Sequence, residues 1–291
     1  MINAWRKVAA YISLMKPLNS SKSTLYYGFC SFIGSLLAAS WSIPLWSSLT
    51  AATAMTLSAF AIYALNDISD VKIDAINASE RPLPSGKVSL REAKTLTMVL
   101  FTASFLIAYS VNLLAFVFTL LFAFFGIAYS LPPLRLKDGL FGDACWGAGI
   151  AFTILGGASV VAITVSPMVA AFTLAFLTAG CGFTKDLKDI EGDKALNVHT
   201  LPILLGEKRS ITVMTIMSVA GFTILFANII FSTINIAYLS SVILATTLFA
   251  YSLLVLHKNP FSKGIYKKAY KIQAAVGFVI ILSFMMSALA K

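Results

Sequence analysis

Nine apolar stretches, each close to the length of a membrane-crossing helix, alternate along the chain with shorter polar segments. They run over Leu25–Ala39, Leu45–Leu65, Ala93–Val111, Leu114–Tyr129, Ala144–Thr164, Met168–Phe183, Ile211–Phe231, Ile236–Leu256 and Ile272–Ala290. The first, fourth and sixth are the shortest. Turn-forming residues mark the breaks at Trp41–Pro44, Asn112, Pro132–Pro133, Ser166–Pro167 and Asn259–Pro260. The pattern predicts an all-α membrane protein, with nine transmembrane helices bundled around a central cavity. Residues 1–291 read as a single domain.

Composition agrees. Of the residues, 58% are hydrophobic and 12% charged, with a mean hydropathy of +0.86. An average soluble domain carries about 25% charged residues, so a soluble enzyme, a disordered chain and a small disulfide scaffold are all excluded. Cys30, Cys145 and Cys181 all lie in apolar surroundings without metal-ligand spacing and read as small hydrophobes.

The net charge of +10 suggests nucleic acid until the charges are placed. Loops after the first, third, fifth and seventh stretches carry none. The N-terminal segment and the loops after the second, fourth, sixth and eighth carry every charged residue except Lys94, at the near edge of the third stretch, and Lys291. This is a topology signal: it predicts a bilayer rather than nucleic acid as partner, with the N-terminus and the charged loops cytoplasmic and the C-terminus outside. The first sixteen residues have neither the apolar core nor the cleavage site of a signal peptide. Trp5, Val8, Ile12 and Met15 share a face opposite Arg6 and Lys7, which predicts that residues 1–22 begin as a helix on the inner membrane surface.

Two charged segments have matching spacing. Asn66-Asp67-x-x-Asp70-x-x-x-Asp74 follows the second stretch, and Asp186-x-x-Asp189-x-x-x-Asp193 the sixth. Each is followed by a Leu-Pro pair and a glycine: Leu83-Pro84 with Gly86, then Leu201-Pro202 with Gly206. The repetition predicts a duplicated four-helix unit closed by a ninth helix, with cytoplasmic acidic-motif loops at 66–92 and 184–209. On a helix, Asn66, Asp70 and Asp74 fall at i, i+4 and i+8, a stripe of oxygen donors with Asp67 at its edge. Like charges so close repel unless cations sit among them, and such hard ligands suit Mg2+, which retains water and shares phosphate oxygens. Asp189 and Asp193 make the equivalent pair. Two such stripes facing each other across a cavity would clamp a diphosphate with its metals.

Bases accompany the acids. Arg81, Arg135, Lys137 and Lys185 are candidates to meet a polyanionic leaving group. Tyr129, at the end of the fourth stretch, is placed to turn its ring toward a developing carbocation. Lys16, Asn19 and Lys22 precede the first stretch; the two lysines offer charge for an acceptor that carries its own phosphate, and Asn19 could orient its hydroxyl.

On these residues the chain resembles the UbiA superfamily of intramembrane prenyltransferases. The likeness is carried by Asn66-Asp67-x-x-Asp70-x-x-x-Asp74, Arg81-Pro82-x-Pro84-Ser85-Gly86, Tyr129-Ser130-x-Pro132-Pro133-x-Arg135-x-Lys137 and Lys185-Asp186-x-x-Asp189-x-x-Gly192-Asp193. It implies Mg2+-dependent transfer of a polyprenyl group from its diphosphate to an acceptor in the membrane. Metal would be held by Asn66, Asp67, Asp70, Asp74, Asp186, Asp189 and Asp193, and the diphosphate would be faced by Arg81, Lys137 and Lys185. The run Lys185–Asp193 followed by Thr200-Leu201-Pro202 is most similar to the archaeal digeranylgeranylglyceryl phosphate synthase branch. That branch implies geranylgeranyl diphosphate as donor and geranylgeranylglyceryl phosphate as acceptor. Lys16 and Glu80 depart from the usual pattern, which has Arg before the proline and an Asn-Arg pair, and this leaves open an aromatic acceptor such as 4-hydroxybenzoate, a naphthoate, homogentisate or chlorophyllide. A secondary transporter is the non-enzyme alternative, but it would place ionisable groups near the midplane, whereas all 12 acids here lie outside the apolar stretches. The residues nominate no general base beyond Asp189 or Asp193; His199 and His257 stand apart from the motifs.

Overall fold

The computed structural model describes residues 2–17, 23–39, 42–195, 198–231, 236–258 and 262–289. Helices follow one another as α1 (Ile2–Met15), α2 (Leu25–Ala39), α3 (Leu45–Ser69), α4 (Val71–Asn77), α5 (Leu90–Val111) and α6 (Leu113–Ser130). After a 3-10 turn at Leu136–Asp138 come α7 (Gly142–Ala158), α8 (Val165–Ala195), α9 (Leu201–Leu205), α10 (Glu207–Phe231), α11 (Ile236–Lys258) and α12 (Lys263–Leu289). The described residues contain no strand.

A helix falls on each of the nine apolar stretches. Seven of them, α3, α5, α6, α8, α10, α11 and α12, are long and apolar enough to cross a membrane; α2 is apolar but spans only 15 residues. Large apolar side chains such as Met98, Leu106, Ile216, Val219 and Leu254 point outward and are more than half exposed. An exterior of this kind needs a lipid solvent. The chain is a multi-pass membrane protein.

Local chemistry sets the helix ends. Ser89 caps α5: its side chain accepts from the Glu92 amide, and its own amide donates to Glu92 Oε2 at 2.8 Å. Asn112 closes α5 with its backbone amide and opens α6 by accepting from the Ala115 amide at 2.8 Å, so one residue makes the whole turn. The second acidic motif differs from the loop expected at 184–209. Lys185–Asp193 continues α8 without a break, because the segment has no proline and only Gly192 to weaken the helix. The first motif is interrupted, with α3 stopping at Ser69 and α4 starting at Val71.

Inside, α7 packs on α2, α6 and α8. Glycines on both helices allow backbone contact between α7 and α2: a Cβ on Gly157 of α7 would overlap the Ser31 carbonyl, and one on Gly34 of α2 the Ile154 carbonyl. Ser35 Oγ donates across this crossing to the Gly157 carbonyl at 2.7 Å, and Ser104 Oγ joins α5 to the Ala54 carbonyl of α3 at 2.8 Å. Small residues and hydroxyl bridges hold helices together where lipid removes the hydrophobic drive. Helix α1 docks Ala10 and Leu14 against Ala64, Leu83, Val88 and Ala93, while Trp5, Val8 and Ile12 stay exposed. Lys7 fixes its outer side through Glu92 at 2.9 Å.

Candidate active site

A cavity of about 860 Å3 opens inside the bundle, within the range of small-molecule sites. Its walls are apolar and aromatic, with Tyr26, Tyr27, Tyr63, Phe122, Phe125 and Trp146 among them. Of the residues singled out in the sequence, Lys16, Asn66, Tyr129 and Lys185 line it.

The break in the helix at Asp70 divides the first motif into two pairs rather than one stripe. Asn66 and Asp70 face the segment after α6. Lys137 Nζ reaches both Asp70 oxygens at 2.6 and 2.7 Å and Asn66 Oδ1 at 3.2 Å, and Arg135 Nη2 reaches Asp70 Oδ1 at 3.1 Å. Arg135 is also paired with Asp138. Asn66 Nδ2 in turn donates to Asp70 Oδ2 at 3.1 Å. Burial pushes the Lys137 ammonium below its ordinary pKa, against the pull of Asp70. A partly dehydrated ammonium of this sort gains most from an incoming phosphate oxygen.

Asp67 and Asp74 turn the other way, one helical turn pair apart, and both are buried. Arg81 Nη1 binds Asp74 Oδ2 at 2.6 Å and stands 4.0 Å from Asp67 Oδ1. Lys16 Nζ binds Asp67 Oδ1 at 2.5 Å and lies 5.8 Å from the centre of the Tyr63 ring. In this structure Lys16 is thus paired with the acidic motif. Asn19 and Lys22 fall outside the described residues. Lys16 and Arg135 are the two non-glycine residues described with positive φ, at 49° and 35°. Such backbone is strained, and here both strained residues hold a base against a motif acid.

The second motif has fewer bases for its acids. Lys185 lies 3.6 Å from Asp186, and Lys188 3.5 Å from Asp189. No ion pair engages Asp193 among the described residues. Asp143, at the start of α7, stands close enough to Asp186 for the two carboxyl groups to weigh on each other's charge. Its carboxylate packs on the backbone of Gly182, where any Cβ would displace it. Sequence reading missed Asp143. The available signal was an acid beginning an otherwise apolar stretch, in Phe141-Gly142-Asp143, but its partner stands on another helix.

Two neighbouring carboxylates repel unless a proton or a cation stands between them, and a divalent cation can fill that place. Among the described residues no three His, Cys, Asp or Glu side chains gather into a ready metal site. Acids arranged singly and in pairs nonetheless fit Mg2+, which takes one or two carboxylates and completes its shell with water and phosphate. The segment after α6, which carries Arg135 and Lys137, is tied to the segment after α8, since the His199 amide donates to the Asp138 carbonyl at 2.8 Å.

The UbiA prenyltransferase family matches residues 27–288. The chain belongs to that family. It is a prenyltransferase, and the transporter alternative falls away. Digeranylgeranylglyceryl phosphate synthase of Methanococcus maripaludis is 31% identical over 98% of this chain and 99% of its own. The Sulfolobus acidocaldarius enzyme of the same name is 29% identical over 95% and 97%. Among solved structures, a digeranylgeranylglyceryl phosphate synthase superposes with a TM-score of 0.86 at 26% identity, covering 98% of this chain and 99% of that one. A UbiA homolog from Archaeoglobus fulgidus bound to GPP and Mg2+ shares the fold at a TM-score of 0.68 and 18% identity, over 97% of this chain and 100% of that one.

Proposed function

We propose that this prenyltransferase moves a geranylgeranyl group from its diphosphate onto the hydroxyl of geranylgeranylglyceryl phosphate, a step of archaeal ether-lipid synthesis. The observation that carries the reading is the cavity whose walls are aromatic and apolar and whose polar lining includes Asn66, Asp143 and Lys185, from both acidic motifs and the base of α7. The relatives named for this synthase, aligned over nearly the whole chain, support the choice of acceptor.

The diphosphate would lie between Asn66–Asp70 and Asp186–Asp193, with Arg81, Arg135, Lys137 and Lys185 around it. Asn66, Asp70, Asp74, Asp186, Asp189 and Asp193, with Asp67 and Asp143 in support, would hold Mg2+, which would supply positive charge to the departing diphosphate. The bond from C1 of the allylic chain to the diphosphate oxygen breaks, and its electron pair leaves with the diphosphate. Lys137 and Arg135, released from Asp70, follow that charge. Tyr129 and the cavity aromatics offer their ring faces to the allylic cation and exclude water. The acceptor oxygen then bonds to C1, and its proton passes to Asp189 or Asp193. Removing divalent metal with EDTA is expected to stop diphosphate release, and Mg2+ to restore it. Full turnover in EDTA would overturn this part of the reading.

The same proposal assigns nine crossings, adding α2 and α7 to the seven longer helices, in one domain of 291 residues. Packing supports a duplicated unit: α3 lies on α5 as α8 lies on α10. Gly86 and Gly206, at matching places, both have positive φ, 71° and 79°. The N-terminus and motif loops then face the cytoplasm, with the C-terminus outside. Thiol probes are expected to reach Ser79→Cys and Lys194→Cys only from the cytoplasmic side, and Thr164→Cys only from the other. Labelling of Ser79→Cys and Thr164→Cys from one side would contradict nine crossings.

A further inference from the structure

The bases in and beside the cavity differ in their partners. Lys16, Arg81, Arg135 and Lys137 are each bound to an acid of the first motif. Lys267 and Lys271 also line the cavity, on α12, yet no ion pair joins either to an acid among the described residues. They are exposed and stand one helical turn apart, with Tyr270 between them in the lining. Lys188 of α8, which stands 3.5 Å from Asp189, also lines the cavity, its ammonium 5.5 Å from the centre of the Tyr270 ring.

Farther along the same face of α12 the lining continues through Ala274, Gly277 and Phe278. Space is open beside Gly277, where a Cβ would meet no atom within 4 Å. Phe278 is 60% exposed and meets Tyr26 of α2 edge-on at 6.0 Å. The face thus passes from cations to small residues to an apolar edge open toward lipid. Its position is fixed by buried Gln273, which accepts from Thr184 Oγ1 at 2.7 Å and donates to Ser252 Oγ at 3.2 Å.

We propose that Lys267 and Lys271, with Lys188, form the subsite for the acceptor's phosphate monoester, its hydrocarbon chain running past Ala274 and Gly277. The inference rests on the function proposed above and specifies which residues read the acceptor. The metal-bound diphosphate needs carboxylates, and α12 offers none; a phosphate monoester needs only bases, and α12 offers those without competing acids. Lys16, the sequence-level candidate for this task, is engaged by Asp67. Lys268 provides a control. It shares the helix and its depth, but lies over the Tyr251 ring at 5.8 Å and does not line the cavity.

The test uses the full chain in neutral detergent micelles, which contribute no anionic headgroups, with Mg2+, geranylgeranyl diphosphate and geranylgeranylglyceryl phosphate. In the double variant Lys267→Gln, Lys271→Gln the KM for the acceptor is expected to rise roughly ten- to hundred-fold, two charge-assisted contacts being lost. The KM for the prenyl diphosphate should stay within about two-fold, and Lys267→Arg, Lys271→Arg should recover most of the loss. Inorganic phosphate should compete with the acceptor in the unaltered enzyme and lose that effect in the double variant; competition undiminished in the variant would overturn the subsite. So would an unchanged acceptor KM, an equal rise for both substrates, or the same rise in Lys268→Gln, which would mark diffuse membrane-surface charge. Failure of the unaltered enzyme to use the glyceryl phosphate at all would instead overturn the proposed function.

Discussion

Asp70→Ala is expected to lower kcat for prenyl transfer by at least ~10³-fold, about 4 kcal/mol of barrier, while the helix bundle stays folded. Asp70 is the acid on which Lys137, Arg135 and Asn66 converge, at 2.6, 3.1 and 3.1 Å. Its loss removes a proposed metal ligand and also frees the two bases from the place where the leaving group must meet them. The side chain is 19% exposed at a helix end, so truncation opens no apolar cavity. Asp70→Asn, which keeps the shape without the charge, should lose nearly as much. Circular dichroism close to that of the unaltered protein together with steady-state rates decides the matter. Turnover within ten-fold of normal, with metal dependence intact, would contradict the clamp.

Asp186→Ala should be as severe, and Asp193→Ala should follow it. At this motif the acids exceed the bases, and Asp186 is buried against Asp143. If the pair supports a cation, Asp143→Asn should raise the Mg2+ concentration needed for half-maximal rate by about ten-fold, with less effect at saturating Mg2+. Asp186→Ala should not recover at any Mg2+ concentration. Asp186→Ala that recovers fully with added Mg2+, or Asp143→Asn with an unaltered Mg2+ curve, would remove the second motif from the metal site.

The sequence exposes these helices clearly because apolar windows and their punctuation are local signals. Asn112 shows why: one residue ends a helix and begins the next through bonds to its own neighbours. The acidic motifs are legible for the same reason, since their spacing repeats. Their partners are a different matter. Which base meets which acid depends on bringing together residues such as Lys137 and Asp70, separated by 67 positions, and periodicity contains nothing about that. The pairing of Lys16 with Asp67 is therefore not legible, and Asp143 goes unremarked although it faces Asp186. The stripe expected of Asn66, Asp70 and Asp74 presumed an unbroken helix. The backbone turns at Asp70, and Asp74 finds Arg81 instead. The lysines of α12 were hidden among inner-leaflet charge; only the cavity singles out Lys267 and Lys271 from Lys268.

The central claim is the reaction itself, and one assay meets it directly. Purified enzyme is given Mg2+, labelled geranylgeranyl diphosphate and, in turn, geranylgeranylglyceryl phosphate, 4-hydroxybenzoate, a naphthoate and homogentisate. The account predicts release of diphosphate with formation of a digeranylgeranylated glyceryl phosphate, at a kcat/KM above that for every aromatic acceptor. Faster prenylation of any aromatic acceptor, or no transfer to the glyceryl phosphate, would contradict it.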